Sequence, residues 1–365
     1  MTSGNNLKVV IVGEFKYSFY EPQLYMTLTC AGIDAKIFSL ENYFASSKLK
    51  KFEKYLKIFG FASYKLQKDL INFVRNNNIT HIFLWRRESI HPRIIKELRK
   101  FGVILSYNND SPFAEFYYKT SNVYSRRLWS WYLKGLSYTD YVYFYRQADV
   151  KSYKEIFGGE SKVVMPGYDP SYLKFQYSID EAATIKGVFV GHYENDGRSQ
   201  LISYINACGL TLDVYGPGWR SNKGLKLNYV KSGSAVFGDD YIRLLLNYSY
   251  ALCIFSGKNR DKYTRRLFEI CSLGVPLLCE KNDFTESFFT DMVDAILFES
   301  YEEAVLKIRT MSPRILREIG SAGRQLVIIK KCSYYERFSG VVDDIKYSCK
   351  IQNHGLPLGV SSRLL

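Results

Sequence analysis

The chain has 365 residues, which is more than one hydrophobic core usually organises, so its length favours two domains. Hydrophobic residues make up 47% and charged residues 24%, values that exclude a disordered or low-complexity chain. The formal net charge is +14, and residues 1–180 carry +10 of it, with 26 Lys and Arg against 16 Asp and Glu. A basic first half favours an anionic partner: a membrane surface, a lipid-phosphate acceptor or nucleic acid.

The cysteines and histidines point away from disulfides and metals. Seven cysteines are scattered without a Cys-x-x-Cys pair, and the four histidines show no zinc-ligand spacing. We therefore expect reduced thiols, a cytoplasmic protein and no bound metal. A polar lead precedes the first short apolar run, which fits a first strand better than a signal peptide. No apolar segment has the length that a bilayer requires.

Short apolar runs alternate with longer helical patterns, which is typical of parallel α/β units. In the first half the predicted strands are Lys8–Val12, Ala35–Ser39, His81–Trp85, Val103–Tyr107, Tyr141–Tyr145 and Lys162–Met165. In the second half they are Gly187–Gly191, Thr211–Tyr215, Leu225–Val230, Ala251–Phe255, Pro276–Glu280 and Ala295–Phe298. Two sets of six strands predict two Rossmann-like domains, at 1–175 and 180–345, followed by a C-terminal tail at 346–365.

A basic amphipathic pattern follows the second strand. Leu49, Phe52, Leu56 and Phe59 form one helical stripe, and five lysines of 48–57 lie elsewhere on the same surface. Such a helix either lies on an anionic membrane or turns its stripe into the core. The pattern leaves both interpretations open.

Polar residues end two strands of the first half. Gly13 and Glu14 close the first strand, and Asp110 follows the fourth. Because ligands of open parallel sheets bind outside the carboxyl ends of strands, we expect these residues to line a cleft. Helix-start polarity is the alternative explanation for Asp110, since Ser111 can cap the next helix with Pro112 at its first position.

Two glycine-containing turns follow strands of the second half. Gly191 and His192 end one strand, and Arg198 begins the next predicted helix. The spacing is not that of a dinucleotide fingerprint, so no nicotinamide cofactor is indicated. At Gly191, glycine lets the backbone approach a phosphate. Tyr215 and Gly216 lead into a Gly-Pro-Gly segment after the following strand, and its composition predicts a turn.

The most informative segment is Tyr263–Pro276. A basic, glycine-containing loop that includes Lys258 precedes it, and a helix with two arginines and a carboxylate then ends at a Gly-Val-Pro stop. Arg266 and Glu269 are three residues apart, so we expect both on one helix face. Cations and backbone N–H groups suit a diphosphate, and the carboxylate can accept two hydrogen bonds from ribose hydroxyls.

These motifs together resemble retaining GT-B glycosyltransferases of the family-4-like, CgeB-type branch. The resemblance rests on the Arg-Leu-Phe-Glu run of Arg266–Glu269, the Tyr-Gly-Pro-Gly-Trp segment of 215–219, the turn of 187–198 and the Asp-Ser-Pro-Phe run of 110–113. It implies an α/β fold with two Rossmann-like domains facing each other across a cleft. The first domain would bind the acceptor and the second the nucleotide sugar.

The resemblance also implies roles for individual residues. Asp261 stands eight residues before the ribose-binding glutamate, where such enzymes carry a sugar-contacting acid, and is one methylene shorter than the usual glutamate. The expected catalytic residues are Asp110, Asp261 and Arg266. The expected acceptor cleft contains Gly13, Glu14 and Asp110. The expected donor-binding residues are Gly191, His192, Arg198, Tyr215, Gly216, Lys258, Tyr263, Thr264, Arg265, Arg266 and Glu269.

The function implied is transfer of a sugar from a nucleotide-diphosphate donor to a glycan or lipid-linked acceptor, with retention and without metal or cofactor. Such work belongs to polysaccharide biosynthesis, at the inner face of a membrane if the basic helix binds one. One alternative is a catalytically silent sugar-binding protein, suggested by Asp261. The other is a basic nucleic-acid-binding protein, which the charge permits although no binding motif accompanies it, so we expect no nucleic-acid partner.

Overall fold

The computed structural model describes residues 7–44, 48–114, 123–182, 184–220 and 229–353. The chain divides into two compact units. The first comprises the described residues of Met1–Met165 and Tyr334–Leu365, and the second is Pro166–Ser333. The sequence predicted domains at 1–175 and 180–345, whereas the units change at 165/166 and at 333/334.

The first unit is built on a parallel six-stranded sheet in the order β2-β1-β3-β4-β5-β6. Its strands are β1 Lys8–Gly13, β2 Asp34–Ser39, β3 His81–Trp85, β4 Val103–Asn108, β5 Tyr141–Phe144 and β6 Lys162–Val163. Strands β3 and β4 are buried along their whole length, as expected for parallel strands covered on both faces.

Helices connect and cover these strands. The α-helices of the first unit are Glu21–Cys30, Glu41–Phe44, Lys48–Leu56, Phe61–Asn76, Pro92–Leu98, Val123–Leu128, Ser130–Gly135, Gln147–Phe157, Tyr334–Arg337 and Ser339–Asn353, with a 3-10 helix at Leu136–Tyr138. The last two belong to this unit although they follow the second unit in the chain. Asp344 ties the final helix to the sheet, because its carboxylate accepts from the Tyr143 hydroxyl at 2.7 Å and binds Lys162 at 2.6 Å.

The second unit repeats the architecture, with a parallel sheet in the order β12-β11-β10-β7-β8-β9. Its strands are β7 Lys186–Val190, β8 Thr211–Tyr215, β9 Val230–Ser232, β10 Tyr250–Cys253, β11 Leu277–Glu280 and β12 Ile296–Phe298. Its α-helices are Arg198–Ala207, Gly238–Leu246, Arg265–Ser272, Asp283–Phe288, Tyr301–Arg309 and Pro313–Ile329, with a 3-10 helix at Pro170–Lys174.

One close backbone contact fixes the helix Arg265–Ser272 in this unit. Gly274 ends that helix region with φ +76°, and a Cβ on Gly320 would lie 2.0 Å from the Gly274 carbonyl oxygen. Only a residue without a side chain allows this approach. Helix Pro313–Ile329 therefore packs its glycine directly against the turn that follows the predicted donor segment.

Eleven of the twelve predicted strands are found, and the α/β class with two six-stranded sheets is confirmed. The remaining predicted strand shares only Val230 with β9. The observed β9 starts later than the predicted Leu225–Val230, of which 225–228 lie outside the described residues. The predicted tail began too early, because the final helix continues to Asn353. Residues 354–365 of that tail lie outside the described residues.

The basic segment 48–59 forms the helix Lys48–Leu56, and none of its residues is buried. The core-face interpretation of its apolar stripe is therefore wrong: Leu49 is 79% exposed and Phe52 is 55% exposed.

Within the described part of the chain, no helix is long and apolar enough to cross a membrane. All seven cysteines are free, and four of them are buried.

Candidate functional site

Three loops of the second unit meet at one edge of its sheet. They follow β7, β8 and β10, which are neighbours in the order β10-β7-β8. Since the three strands are parallel, their carboxyl ends lie at the same edge. The predicted donor residues in these loops therefore come together although 67 positions separate Gly191 from Lys258 in the sequence.

The loops after β7 and β8 are joined through backbone. Gly191 donates from its N–H to the Tyr215 carbonyl at 2.9 Å. Gly216 has φ +146°, and a Cβ there would lie 2.1 Å from the Gly191 carbonyl oxygen. Trp219, which is buried, donates from Nε1 to that same oxygen at 2.8 Å. A side chain at Gly216 would separate the two loops, so glycine is required for their contact as well as for any approach to a ligand.

Glu194 joins the loop after β7 to the loop after β10, and the sequence analysis did not select it. One carboxylate oxygen lies 2.7 Å from His192 Nε2, and the other accepts from the Ser256 hydroxyl at 3.0 Å. Arg198 Nη2 approaches the first oxygen at 3.4 Å. An acid in the loop after a strand, which ends at Val190, was the available signal, but nothing in the sequence shows that this acid is buried.

The surroundings keep Glu194 ionised. Burial by itself would raise the pKa of this carboxyl. The hydrogen bond from His192, the charge of Arg198 and the hydrogen bond from Ser256 together outweigh burial and lower the pKa to about 2. The imidazole of His192 remains more than half exposed. His192 therefore presents an exposed imidazole beside the negatively charged Glu194 at this sheet edge.

Arg198 begins the helix Arg198–Ala207, as predicted, but its guanidinium is turned inward. It donates to both carboxylate oxygens of Asp196, at 2.7 and 2.5 Å, and from Nη1 to the His192 carbonyl at 2.8 Å. The side chain is 3% exposed. Because protein oxygens already engage the planar fork, Arg198 holds the loop after β7 in shape.

The helix Arg265–Ser272 begins at Thr264, whose hydroxyl accepts from the Arg266 N–H at 3.1 Å. We expected Arg266 and Glu269 on one face, but the residue that forms an ion pair with Glu269 is Arg265, one helical turn before it. Glu269 is fully buried. Its Oε1 binds Arg265, whereas its Oε2 has no hydrogen-bond partner among the described residues.

Two buried tyrosines lie close to this carboxylate. Burial is the main reason that the pKa values of Tyr172 and Tyr241 are raised, and the negative charge of Glu269 raises both further. The Tyr241 hydroxyl and Arg266 Nε, like Glu269 Oε2, are buried without a hydrogen-bond partner in the part of the chain described. Polar atoms left in this state cost free energy, about 1–3 kcal/mol each, unless a ligand or water pairs with them.

The loop after β10 carries Lys258 and Asp261. Asp261 donates from its N–H to the Ser256 carbonyl at 3.1 Å, and Arg260 adopts φ +54° between them. Lys258 is exposed. The tight backbone turn therefore presents a lysine at the same sheet edge as Gly191.

Two predicted donor residues have structural partners. Tyr215 places its hydroxyl 3.1 Å from that of Tyr248, which in turn donates to Asp213 at 2.8 Å. Tyr263 is buried, with its ring 4.7 Å from that of Phe284. These contacts anchor the two side chains beside the loops.

The predicted acceptor residues lie at the carboxyl edge of the first unit's sheet. Glu14 binds Lys54. Burial would raise the pKa of Glu14, but the charge and hydrogen bond of Lys54, together with the charges of Arg86 and Lys16, outweigh burial and lower the pKa. Gly13 leaves no room for a side chain, because a Cβ there would lie 2.5 Å from Glu21 Oε1. Asp110 lies 3.0 Å from Arg86 Nη1.

The expected cap by Ser111 is replaced by another contact. The Ser111 hydroxyl donates to Asp149 Oδ1 at 2.5 Å, and Pro112 and Phe113 form a turn. Residues 115–122, on which the predicted helix falls, lie outside the described residues.

Sequence comparison finds one family model that matches part of the chain. Residues 198–343 match the family model described as glycosyl transferase-like, a range that includes Arg198, Tyr215, Lys258 and Glu269. This part of the chain is therefore similar in sequence to that family. No protein of curated function matches the chain significantly in sequence.

Solved structures extend the likeness in fold to nearly the whole chain. Sucrose-phosphate synthase from Thermosynechococcus elongatus has a TM-score of 0.68 and 12% identity, over 96% of this chain and 100% of that one. A glycosyltransferase from Rickettsia africae has a TM-score of 0.64 and 13% identity, over 95% of this chain and 100% of that one. HepE from Anabaena, in complex with UDP-glucose, has a TM-score of 0.62 and 13% identity, over 94% of this chain and 99% of that one. The architecture is therefore that of GT-B glycosyltransferases.

We expect Glu194→Gln to lower stability at neutral pH and to flatten its decline in acid. The folded pKa of about 2 lies below the ordinary 4.5, so the carboxylate contributes stability above pH 4.5 that is lost as the pH falls through 2. Losing the charged hydrogen bonds should cost about 1–3 kcal/mol. Melting temperatures between pH 7 and 2 measure the effect, with the exposed Glu286→Gln as control. Superimposable profiles for Glu194→Gln and wild type would contradict this role.

Proposed function

We propose that the protein is a glycosyltransferase that takes its sugar from a nucleoside-diphosphate donor bound by the second unit. The observation that carries this proposal is the open oxygen of Glu269. A fully buried carboxylate has one oxygen held by Arg265 and the other without a partner among the described residues. A ribose diol supplies two hydroxyl donors, which suits such an acceptor.

The surrounding groups support a diphosphate next to that ribose. Backbone N–H groups at the start of Arg265–Ser272 carry the positive end of the helix dipole, and Arg266 lies in the same first turn. Lys258 projects from the loop after β10 at this sheet edge. The structural likeness to HepE, which was crystallised with UDP-glucose, favours a UDP-sugar as the first donor to test.

The proposed mechanism stabilises the departing diphosphate with protein cations. As the glycosidic bond lengthens, negative charge grows on the diphosphate, and preorganised donors stabilise it there. Lys258, Arg266 and the helix N-terminus would supply this charge, so we propose that no metal is needed. Retention of configuration is proposed from the family resemblance. Arg198, engaged with Asp196, would act by positioning the loop after β7.

The exposed stripe of Lys48–Leu56 supports a membrane-linked acceptor, such as a lipid-linked glycan in polysaccharide biosynthesis. Leu49, Phe52 and Tyr55 are exposed large side chains on this helix, and Lys48 and Lys51 are exposed beside them. A helix with an apolar stripe and basic flanks binds an anionic bilayer through both features. We therefore propose that the protein works at the inner face of the membrane.

Glu269→Gln should weaken binding of the nucleoside diphosphate by roughly ten- to a hundredfold, because hydrogen bonds to a charged group are worth about 1.5–3 kcal/mol. Calorimetry would first identify the preferred ligand among UDP, GDP and ADP. The same titration with an analogue that lacks both ribose hydroxyls completes a double-mutant cycle. If Glu269 binds the ribose, the substitution should change affinity for the hydroxylated ligand only.

The exposed Glu286→Gln is the matched control and should bind like wild type. An equal loss for both ligands would show that the substitution disturbs the fold instead of the ribose contact.

Lys258→Ala and Arg266→Ala should each lower the turnover rate, because each removes about 2–4 kcal/mol of transition-state stabilisation. Both variants should remain folded. Donor consumption in the presence of EDTA should match that without it. Loss of activity on chelation, with recovery on adding Mg²⁺ or Mn²⁺, would show that a metal performs the task assigned to these cations.

Changing Lys48 and Lys51 to Gln should reduce binding to phosphatidylglycerol-containing vesicles by roughly thirtyfold, at about 1 kcal/mol for each lysine. Changing the exposed Lys100 and Lys151 to Gln alters the net charge equally and should have little effect. Binding should also weaken with salt, because the Debye length is about 10 Å at 0.1 M. Equal losses in the two variants would assign the effect to overall charge and not to the helix.

A further inference from the structure

A second place with unpaired buried atoms lies in the first unit. Lys57 directly follows the amphipathic helix Lys48–Leu56, and Glu88 follows β3. Lys57 Nζ and Glu88 Oε2 are both shielded from solvent, and neither has a hydrogen-bond partner among the residues that the structure describes. Glu88 as a whole is 5% exposed. The sequence placed Lys57 among the five lysines of the basic amphipathic surface and did not single out Glu88, and no motif joined the two residues.

The two groups are near each other without touching. Lys54, three residues before Lys57, binds Glu14 after β1, and β1 pairs with β3, which Glu88 follows. Burial lowers the pKa of Lys57 to about 8, and the negative charge of Glu88 opposes this effect. The only ion pair of Glu88 in the described structure is made by its other oxygen, 3.6 Å from Arg86 Nε. An ammonium and a carboxylate oxygen therefore lie in one region, each without a hydrogen-bond partner among the described residues, and we call the space between these two atoms the polar gap.

The charges around this gap are balanced. Lys54 binds Glu14, and Arg86 binds Asp110 at 3.0 Å, so each neighbouring charge already has an opposite partner. A phosphate or carboxylate could accept from Lys57 but would meet the uncompensated oxygen of Glu88. An amine could donate to Glu88 but would meet the ammonium. A hydroxyl both donates and accepts, and adjacent hydroxyls on one ring can serve both groups at once.

Aromatic side chains stand beside the polar pair. Tyr124 is close enough for the negative charge of Glu88 to contribute to raising its pKa, although burial is the larger cause. The ring of Tyr124 lies 4.9 Å from that of Tyr55, which is exposed. Small-molecule sites in proteins combine aromatic surface with a few placed polar groups, and a sugar ring presents both hydroxyls and apolar C–H faces to such a site.

We propose that Lys57 and Glu88 form a hydroxyl-binding subsite for a sugar residue of the acceptor. The acceptor role rests on the proposed function, whereas binding of a sugar by this pair does not depend on whether the second unit binds a nucleotide sugar. The pair lies at the same sheet edge as Glu14 and Asp110, the residues for which an acceptor role was predicted. Lys57 and Glu88 thus give that region a stated chemistry.

The test measures, by saturation-transfer NMR, whether the full chain binds the methyl glycosides of glucose, galactose, mannose and N-acetylglucosamine. Each glycoside is used at millimolar concentration. Wild type should bind at least one of them. Lys57→Met and Glu88→Gln keep side-chain length and should each raise its dissociation constant about tenfold or more. Lys151→Met and Glu155→Gln, at exposed positions of the same unit, should leave it unchanged.

Nucleoside-diphosphate binding by the same four variants separates this inference from the proposed function. It should remain at the wild-type level, which also shows that the variants are folded. If wild type binds the nucleotide but no glycoside, or if the variants bind the glycoside as wild type does, the subsite is wrong, the gap holds water only, and the proposed function stands. If glycoside binding depends on Lys57 and Glu88 but no nucleotide binds, the proposed function is wrong and the sugar subsite stands.

Discussion

The parallel pairing of β7, β8 and β10 is the constraint on which the candidate donor site depends. Val188 of β7 is paired with Asp213 of β8 on one side and with Ala251 of β10 on the other. All three strands therefore end at one edge, and the segments that follow them meet there. If β7 or β10 ran antiparallel to the other, its loop would lie at the opposite edge, and Glu194 could not reach Ser256.

Two buried carboxylates at this edge differ in how many of their oxygens are hydrogen-bonded. The difference distinguishes an acid that stabilises the fold from one that is a candidate to bind a ligand. Glu194 has both oxygens bonded, to His192 and Ser256, and so joins two loops. Glu269 is equally buried but has one oxygen bonded to Arg265 and one left open. A saturated buried acid stabilises a fold, whereas an open oxygen costs free energy in the empty protein and returns it when a donor binds.

The same reasoning links three features of the first unit. The helix Lys48–Leu56 exposes an apolar and basic surface, and Lys57 is the next residue in the chain. Lys57 has φ +54°, so the chain turns at this point from the exposed helix toward the buried polar gap beside Glu88. A helix that rests on a bilayer would thus lead directly to a sugar-binding pair. That order suits an acceptor whose lipid stays in the membrane while its glycan reaches the enzyme.

Local patterns in the sequence were sufficient for eleven of the twelve strands, the class of fold and the helix that carries Glu269, because apolar periodicity and glycine turns act within a few residues. Local patterns were not sufficient to predict which side chains form ion pairs and hydrogen bonds with each other. Arg265, and not Arg266, pairs with Glu269, and the roles of Glu194 and Lys57 are absent from the local sequence altogether. The apolar stripe of Lys48–Leu56 had two possible environments, and packing left it exposed. Burial and pairing depend on contacts between segments far apart in the chain, so only the tertiary structure decided which charged groups are saturated and which remain open for a ligand.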